Sequence, residues 1–446
     1  MKLRPCTDSR VRERRDDLWR RRAAHLRRRK RRFIVLGLGL MSLVSGLILC
    51  NVLNLRWPIP APHSEITPSL AADDWATLQR DHLRTGYLPV DSPQLDGTIL
   101  WQLHTEGTIT SPPSVVDGTL YVGTGDARIL ALDGATGDVV WERGVSSPID
   151  LPVTVAGDYL YVVLRNGHLL ALDKSGGENR WRFTTSDIVL ATPLVHKGVV
   201  YLSARDRILH AVDALTGESR WAYKLSAASL SSPAIAGNIL ALGTEDGNIH
   251  LLDSRNGTPR RVYPTGIAIW SAPVIVDGRV FITNNMGYAR AIDLSPREIL
   301  FEKPMRALWW QFYLWRIAPP PPRPRGAIWL FSRSGESFVG NMAVAHGMVY
   351  LGSGRRGSDG SVYALDQSTG KQIWEFRASA PISSSPSIVG EIVYIASDDG
   401  VVHVLNALTG KEVSRLAISG VVNGSPVYSN GTLYVTTQGG VIYAIR

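Results

Sequence analysis

From residue 98 onward the chain alternates short apolar runs with Gly, Asp and Asn turns, the pattern of strands joined by tight hairpins. Residues 118–141 hold the full motif. Leu120 to Gly123 is one apolar run, Gly125-Asp126 a turn, Arg128 to Asp133 a second run, Thr136-Gly137 a second turn, and Val139 to Trp141 opens a third strand. The motif recurs every 40 residues through Asp133, Asp173, Asp213, Asp253 and Asp293, and after an interruption through Asp366, Asn406 and Arg446, making eight copies.

Three further columns run through the array. One holds Tyr121, Tyr161, Tyr201, Ala241, Phe281, Tyr350, Tyr394 and Tyr434. An inner strand is marked by Pro113, Pro193, Pro233, Pro273, Pro386 and Pro426, with Pro152 one place early in the second copy and Met342 in the sixth. The outer-strand column reads Trp101, Trp141, Trp181, Trp221, Arg261, Phe301, Trp374 and Ser414. Four strands in a repeat of this length predict an all-β, eight-bladed β-propeller over residues 98–446. The last copy stops at Arg446, before its own outer strand, so residues 98–104 are expected to complete that blade and close the ring without an open edge.

The set Ala131, Leu132, Asp133, Thr136-Gly137 and Trp141 resembles the pyrroloquinoline quinone (PQQ)-like repeat, and it returns as Ala211, Asp213, Thr216-Gly217, Trp221 and as Ala364, Asp366, Thr369-Gly370, Trp374. Asp74-Trp75, Asp81, Arg84, Thr85 and Gly86 are similar to the lead-in that often precedes such propellers. The resemblance implies two kinds of protein, quinoprotein dehydrogenases and a non-catalytic BamB-like branch, and fold alone does not choose between them. The repeat Asp, Gly and Trp residues are expected to be structural, tying turns and packing between blades.

Net charge changes the picture only at the N-terminus. Residues 1–32 hold fifteen Lys or Arg against four Asp or Glu, a net of +11, whereas the whole chain carries +9, so the remainder sums to about −2. No nucleic-acid surface on the propeller is implied. Phe33 to Leu55 carry no charge, and as a helix 23 residues span ~34 Å, enough for a bilayer core. The expectation is a single N-terminal transmembrane helix at 33–55, a signal anchor with the basic tail 1–32 in the cytoplasm and the propeller outside it. Residues 56–97 read as a Pro-rich linker and lead-in. Cys6 and Cys50 both precede the blades, which excludes a thiolate zinc site or a CxxCH haem site in the propeller.

An insertion at about 304–338 interrupts the period. It carries Trp309, Trp310, Phe312, Tyr313 and Trp315 beside Arg306 and Arg316, which suits a partner surface or a membrane interface as well as it suits a plug over a neighbouring blade.

A quinoprotein enzyme requires PQQ, calcium or a similar ion, and a carboxylate base. The resemblance places such residues on inserted loops, often beside a disulfide, whereas five successive blades here are bare and lack cysteine. The channel mouth is expected three positions before the proline column, at Thr110, Asp150, Leu190, Leu230, Trp270, Val339, Ser383 and Asn423, of which Asp150, Trp270 and Asn423 suit a polar or flat ligand. His210, His250 and His403 share one column and read as packing residues; Glu245-Asp246-Gly247 and Ser397-Asp398-Asp399-Gly400 read as hairpin turns. The resulting expectation is a membrane-anchored scaffold for a protein partner, with no catalytic residue, cofactor or metal. A small PQQ-dependent oxidoreductase is the alternative, and a ligand sensor the second.

Overall fold

The computed structural model describes residues 59–69, 71, 74–91, 95–295, 302–320, 324–354, 359–422 and 424–446. The basic tail, the apolar stretch Phe33–Leu55 and Asn423 lie outside the described residues. Among the described residues no helix is long and apolar enough to cross a membrane.

Residues Ile59–Arg446 form one unit, built of eight antiparallel sheets. The first blade runs Ser114–Val116, Thr119–Gly123, Arg128–Asp133 and Val139–Gly144, innermost strand first. Its two middle strands are buried along nearly their whole length, so their continuous apolar runs pack against both neighbouring blades. The outer strands are mostly exposed, with Trp141 and Trp181 part-buried against the next blade. The eighth blade takes Val427–Ser429, Thr432–Thr436 and Val441–Ile445 from the C-terminus and Ile99–His104 from the start of the array, as the spacing predicts.

One contact repeats around the ring. The Asp ending a third strand accepts from the two backbone N–H groups beyond it, as Asp133 Oδ1 does from Ala135 and Thr136 at 2.8 and 3.0 Å. The turn so formed carries a left-handed glycine, and the tryptophan of the preceding blade lies flat against it. That indole then donates to a carbonyl of the same turn: Trp141 to Lys174, Trp181 to Ala214, Trp221 to Ser254 and Trp374 to Ala407. Tyr161, Tyr201 and Tyr350 hydroxyls donate to the last three of these carbonyl oxygens, giving a two-pronged clasp from each blade to the next. Each bond contributes about 1 kcal/mol net, and leaving a buried one unmade costs more.

Two expectations need correction. Phe301 is not the outer-strand residue of the fifth blade: it lies outside the described residues, and Trp329 takes that place, paired with Ala291 as Trp141 is with Ala131. The 304–338 insertion therefore includes the outer strand Ala327–Ser332, and the material foreign to the blade is the connection from Leu294 to Gly326, between third and outer strands. Within it a helix spans Glu302–Leu314. The helix ends where Arg316 turns left-handed and the N–H of Ile317 reaches back to Phe312 O at 2.8 Å, a Schellman closure made without glycine.

Candidate functional site

The central channel is filled by the chain's own lead-in. Trp75 exchanges both backbone bonds with Val115 on the innermost strand of the first blade. The carbonyls of Ala76, His82, Leu83, Thr85 and Gly86 then accept from Val155, Ile235, Ile275, Val344 and Ile388, the middle residues of five other innermost strands. Tyr87–Leu88 finishes the path as a parallel fifth strand on the seventh blade. One irregular segment thus satisfies backbone donors on six blades that would otherwise face the axis unpaired.

Arg84 lies at the heart of this plug, with no accessible surface. Its Nε donates to Pro233 O at 3.1 Å, Nη2 to Pro193 O at 3.5 Å, and Nη1 to Thr77 Oγ1 and Leu78 O at 2.9 and 2.7 Å. Gln79 Nε2 donates to Met342 O at 2.9 Å, so three carbonyls of the proline column are held from the axis. Burial pushes the Arg84 guanidinium down to about 9, against the opposing pull of Asp81, and the side chain remains a cation at neutral pH. Asp81 in turn accepts from Leu83 and Thr85 backbone N–H groups and from the Thr85 hydroxyl. Gln79, Arg80 and Arg84 all adopt left-handed backbone, a cost of about 1 kcal/mol each that the surrounding bonds offset.

Residues 59–69, read as part of a spacer, also lie on the propeller. Gly198 N–H donates to Ile66 O, and Asp213 Oδ2 accepts from both the backbone N–H and Nδ1 of His63, each at 3.0 Å. Both contacts are at turns on one face, the face from which the lead-in enters.

The expected mouth residues stand on the opposite side, before the innermost strands. Asp150 is bound bidentately by Arg165, with Oδ2 to Nε at 2.6 Å and Oδ1 to Nη2 at 2.7 Å. Its carbonyl accepts from Thr110 Oγ1 at 3.1 Å. Trp270 is 48 % exposed and three blades away, joined to Asp150 by no described contact. Ser383 donates to Asp398 Oδ2 at 3.0 Å, so Asp398, read from sequence as a turn acid alone, is a mouth residue as well. Arg165 and Asp398 each lie fifteen positions after the mouth residue they bind, a spacing that could have found both.

His210, His250 and His403 pack against Phe183, Tyr223 and Phe376 on the preceding outer strands, as their column implies. Among the described residues no group of three or more His, Cys, Asp or Glu is placed to hold a metal. The insertion aromatics form no core: Trp309, Trp310 and Tyr313 are exposed, Trp315 is 63 % exposed, and only Phe312 is half-buried. Trp310 meets Tyr313 edge-on at 5.5 Å, and Trp309 Nε1 donates to Pro319 O at 3.0 Å, holding the proline run against the helix.

Solved structures with this architecture fall on both sides of the family. BamB from Moraxella catarrhalis superposes with a TM-score of 0.61 at 20% identity, covering 78% of this chain and 96% of that one. Quinohemoprotein alcohol dehydrogenase from Comamonas testosteroni gives 0.65 at 16% identity, over 83% and 80% of the two chains. A europium-containing methanol dehydrogenase gives 0.64 at 13% identity, over 82% and 89%. At these identities the likeness is one of fold. A search of curated proteins finds no match. The family model described as outer membrane protein assembly factor BamB matches residues 90–163, 146–357 and 358–446, nearly the whole propeller, and the chain belongs to that PQQ-like repeat family.

Proposed function

We propose that this chain is a non-catalytic scaffold, anchored by residues 33–55 with the basic tail in the cytoplasm and the blades outside it, and that it holds a protein partner. The observation that carries this reading is the division of its surfaces. The axis is taken by the lead-in around Arg84, whereas the helix Glu302–Leu314 lies over the outer strands of the third and fourth blades and leaves Trp309 and Trp310 partly in solvent. Exposed aromatic residues flanked by arginine are the composition of interface cores.

The mouth supports the same reading. A quinone cofactor with its metal needs a carboxylate free to act as base, and both oxygens of Asp150 are engaged by Arg165. Asp150, the carboxylate that the spacing marks, therefore does not fit the role of that base.

A photo-reactive amino acid at Trp315 in the full-length chain, expressed in its own membrane, tests the proposal. It should give discrete cross-linked protein species that are absent when the same group replaces Ile373, an exposed residue on the sixth blade's outer strand. No species specific to Trp315 would contradict the scaffold reading of the helix.

A further inference from the structure

We propose that the cleft between the insertion helix and the third and fourth blades binds an acidic peptide segment bearing an aromatic residue. This rests on the reading of the chain as a partner-binding propeller and assigns the partner's chemistry. The cleft has a volume of about 830 Å³, bounded by Arg306, Ala307 and Trp310 on one side and by the outer strands Ser219–Lys224 and Pro259–Pro264 on the other. That is ample for several side chains, near the upper end of the ~300–1,000 Å³ usual for ligand clefts.

Three cations converge there, Arg207, Lys224 and Arg306, and none has an ion-pair partner among the described residues. The turn carrying Arg207 is bound to the strand of Lys224 through Leu225 N–H to Arg207 O at 2.8 Å, so the two charges are held together. The nearby carboxylate of Asp246 is already engaged, Oδ1 by Thr244 and Oδ2 by Asn248. Arg207 also occupies a left-handed position, with φ of 64°, that is glycine in the equivalent turns at Gly167, Gly247, Gly287, Gly400 and Gly440; among the described turns Ala127 is the other exception. A long cation held in a backbone conformation that favours glycine is a strained feature of the kind found at binding sites.

The remaining lining selects among anions. Trp310 and Tyr223 bring aromatic rings, Leu225, Val262 and Pro264 apolar side chains, and Ser226 and Asn248 hydrogen-bonding groups. Carboxylates beside an aromatic side chain match that mixture better than a bare phosphate. The cleft opens at the turns between second and third strands, on the face opposite the turns that receive residues 59–69.

The probe is a synthetic pentapeptide of four aspartates around a central photo-reactive phenylalanine, applied to the full-length chain in nanodiscs at low salt. Mapped cross-links should fall on residues 223–226, 262–264 and 306–310 and drop at least tenfold in Arg306→Glu and in Lys224→Glu. Lys224→Gln, a milder change, should lower them severalfold if either reversal fails to fold. Cross-links confined to residues 1–32, or unchanged in the folded variants, would overturn the proposal. So would binding of phosphatidylglycerol vesicles that is lost in Lys224→Glu while the peptide is ignored. Partner cross-links from Trp315 that persist in Arg306→Glu would sink this cleft assignment and leave the scaffold reading standing.

Discussion

Trp101 Nε1 donates to Gly134 O at 2.9 Å, and Tyr434 OH reaches the same oxygen at 3.0 Å. Trp101 stands at the beginning of the array and Tyr434 near its end, so the closing interface carries the same clasp as interfaces inside it. Trp101→Ala should cost about 3–5 kcal/mol from lost packing and the released carbonyl, read by denaturant unfolding. Deleting residues 98–104 should go further and produce concentration-dependent self-association in sedimentation, because the strand Val441–Ile445 is left as an edge. Self-association no greater than that of the intact chain would show that closure does not protect that edge.

The glycines beneath the tryptophans can be separated from glycines that only need their backbone. A Cβ at Gly137, with φ of 79°, would meet the Trp101 ring at 2.6 Å; a Cβ at Gly118, with φ of 73°, would meet nothing within 4 Å. Gly118→Ala should cost about 1 kcal/mol for the left-handed residue alone, and Gly137→Ala about 2–3 kcal/mol more for the overlap. Equal losses for the two variants would refute the clasp as a packing contact.

Arg84→Met removes four hydrogen bonds to groups buried on the axis. The expected loss is about 3 kcal/mol or more, with limited proteolysis accelerated between residues 59 and 90. Unchanged protection of that segment would mean that the plug is held by its backbone bonds alone.

The lead-in is also the acid-sensitive part. His82 meets His196 with ring centroids 4.8 Å apart and planes tilted by 31°. Burial, aided by the charges of His82 and Lys197, pushes the His196 imidazole down to about 4. Burial lowers His82 as well, against Asp81 and with help from Arg84 and Lys197. Both rings titrate near 6.5 when unfolded, so their contribution is intact above pH 6.5 and is lost as the pH falls from there towards 4. The loss should reach about 2–3 kcal/mol, and the double variant His82→Phe/His196→Phe should show a flatter stability profile across that window.

Blade number, closure and the clasp residues were legible because each rests on a repeated spacing. The departures were legible too, though their meaning needed the structure. Arg261 and Ala241 replace Trp and Tyr in the fourth blade, and the turn they would clasp is the one opened by the Leu294–Gly326 connection. Ser414 replaces Trp in the seventh blade, whose neighbour has no turn, only the meeting of Gly97 and Thr98 with Arg446. Phe301 was misplaced because spacing alone carried the column past the insertion.

The plug was not legible. The resemblance marked Arg84 and its neighbours as a lead-in, but Arg84 and Gln79 bind carbonyls of residues up to 263 positions away, and no local pattern shows partners that are assembled only when the ring closes. The docking of residues 59–69 escaped for the same reason: a Pro-rich, polar stretch reads as a spacer until a surface is present to receive it.

On the reading proposed above, this ring is architecture around an occupied axis. Titrating the full-length chain with PQQ and calcium, followed by absorbance and by dye reduction with alcohols and sugars, tests it most directly. The expected result is no saturable binding at micromolar cofactor and no turnover. Saturable binding with turnover that Asp150→Ala abolishes would contradict it and make the channel mouth an active site.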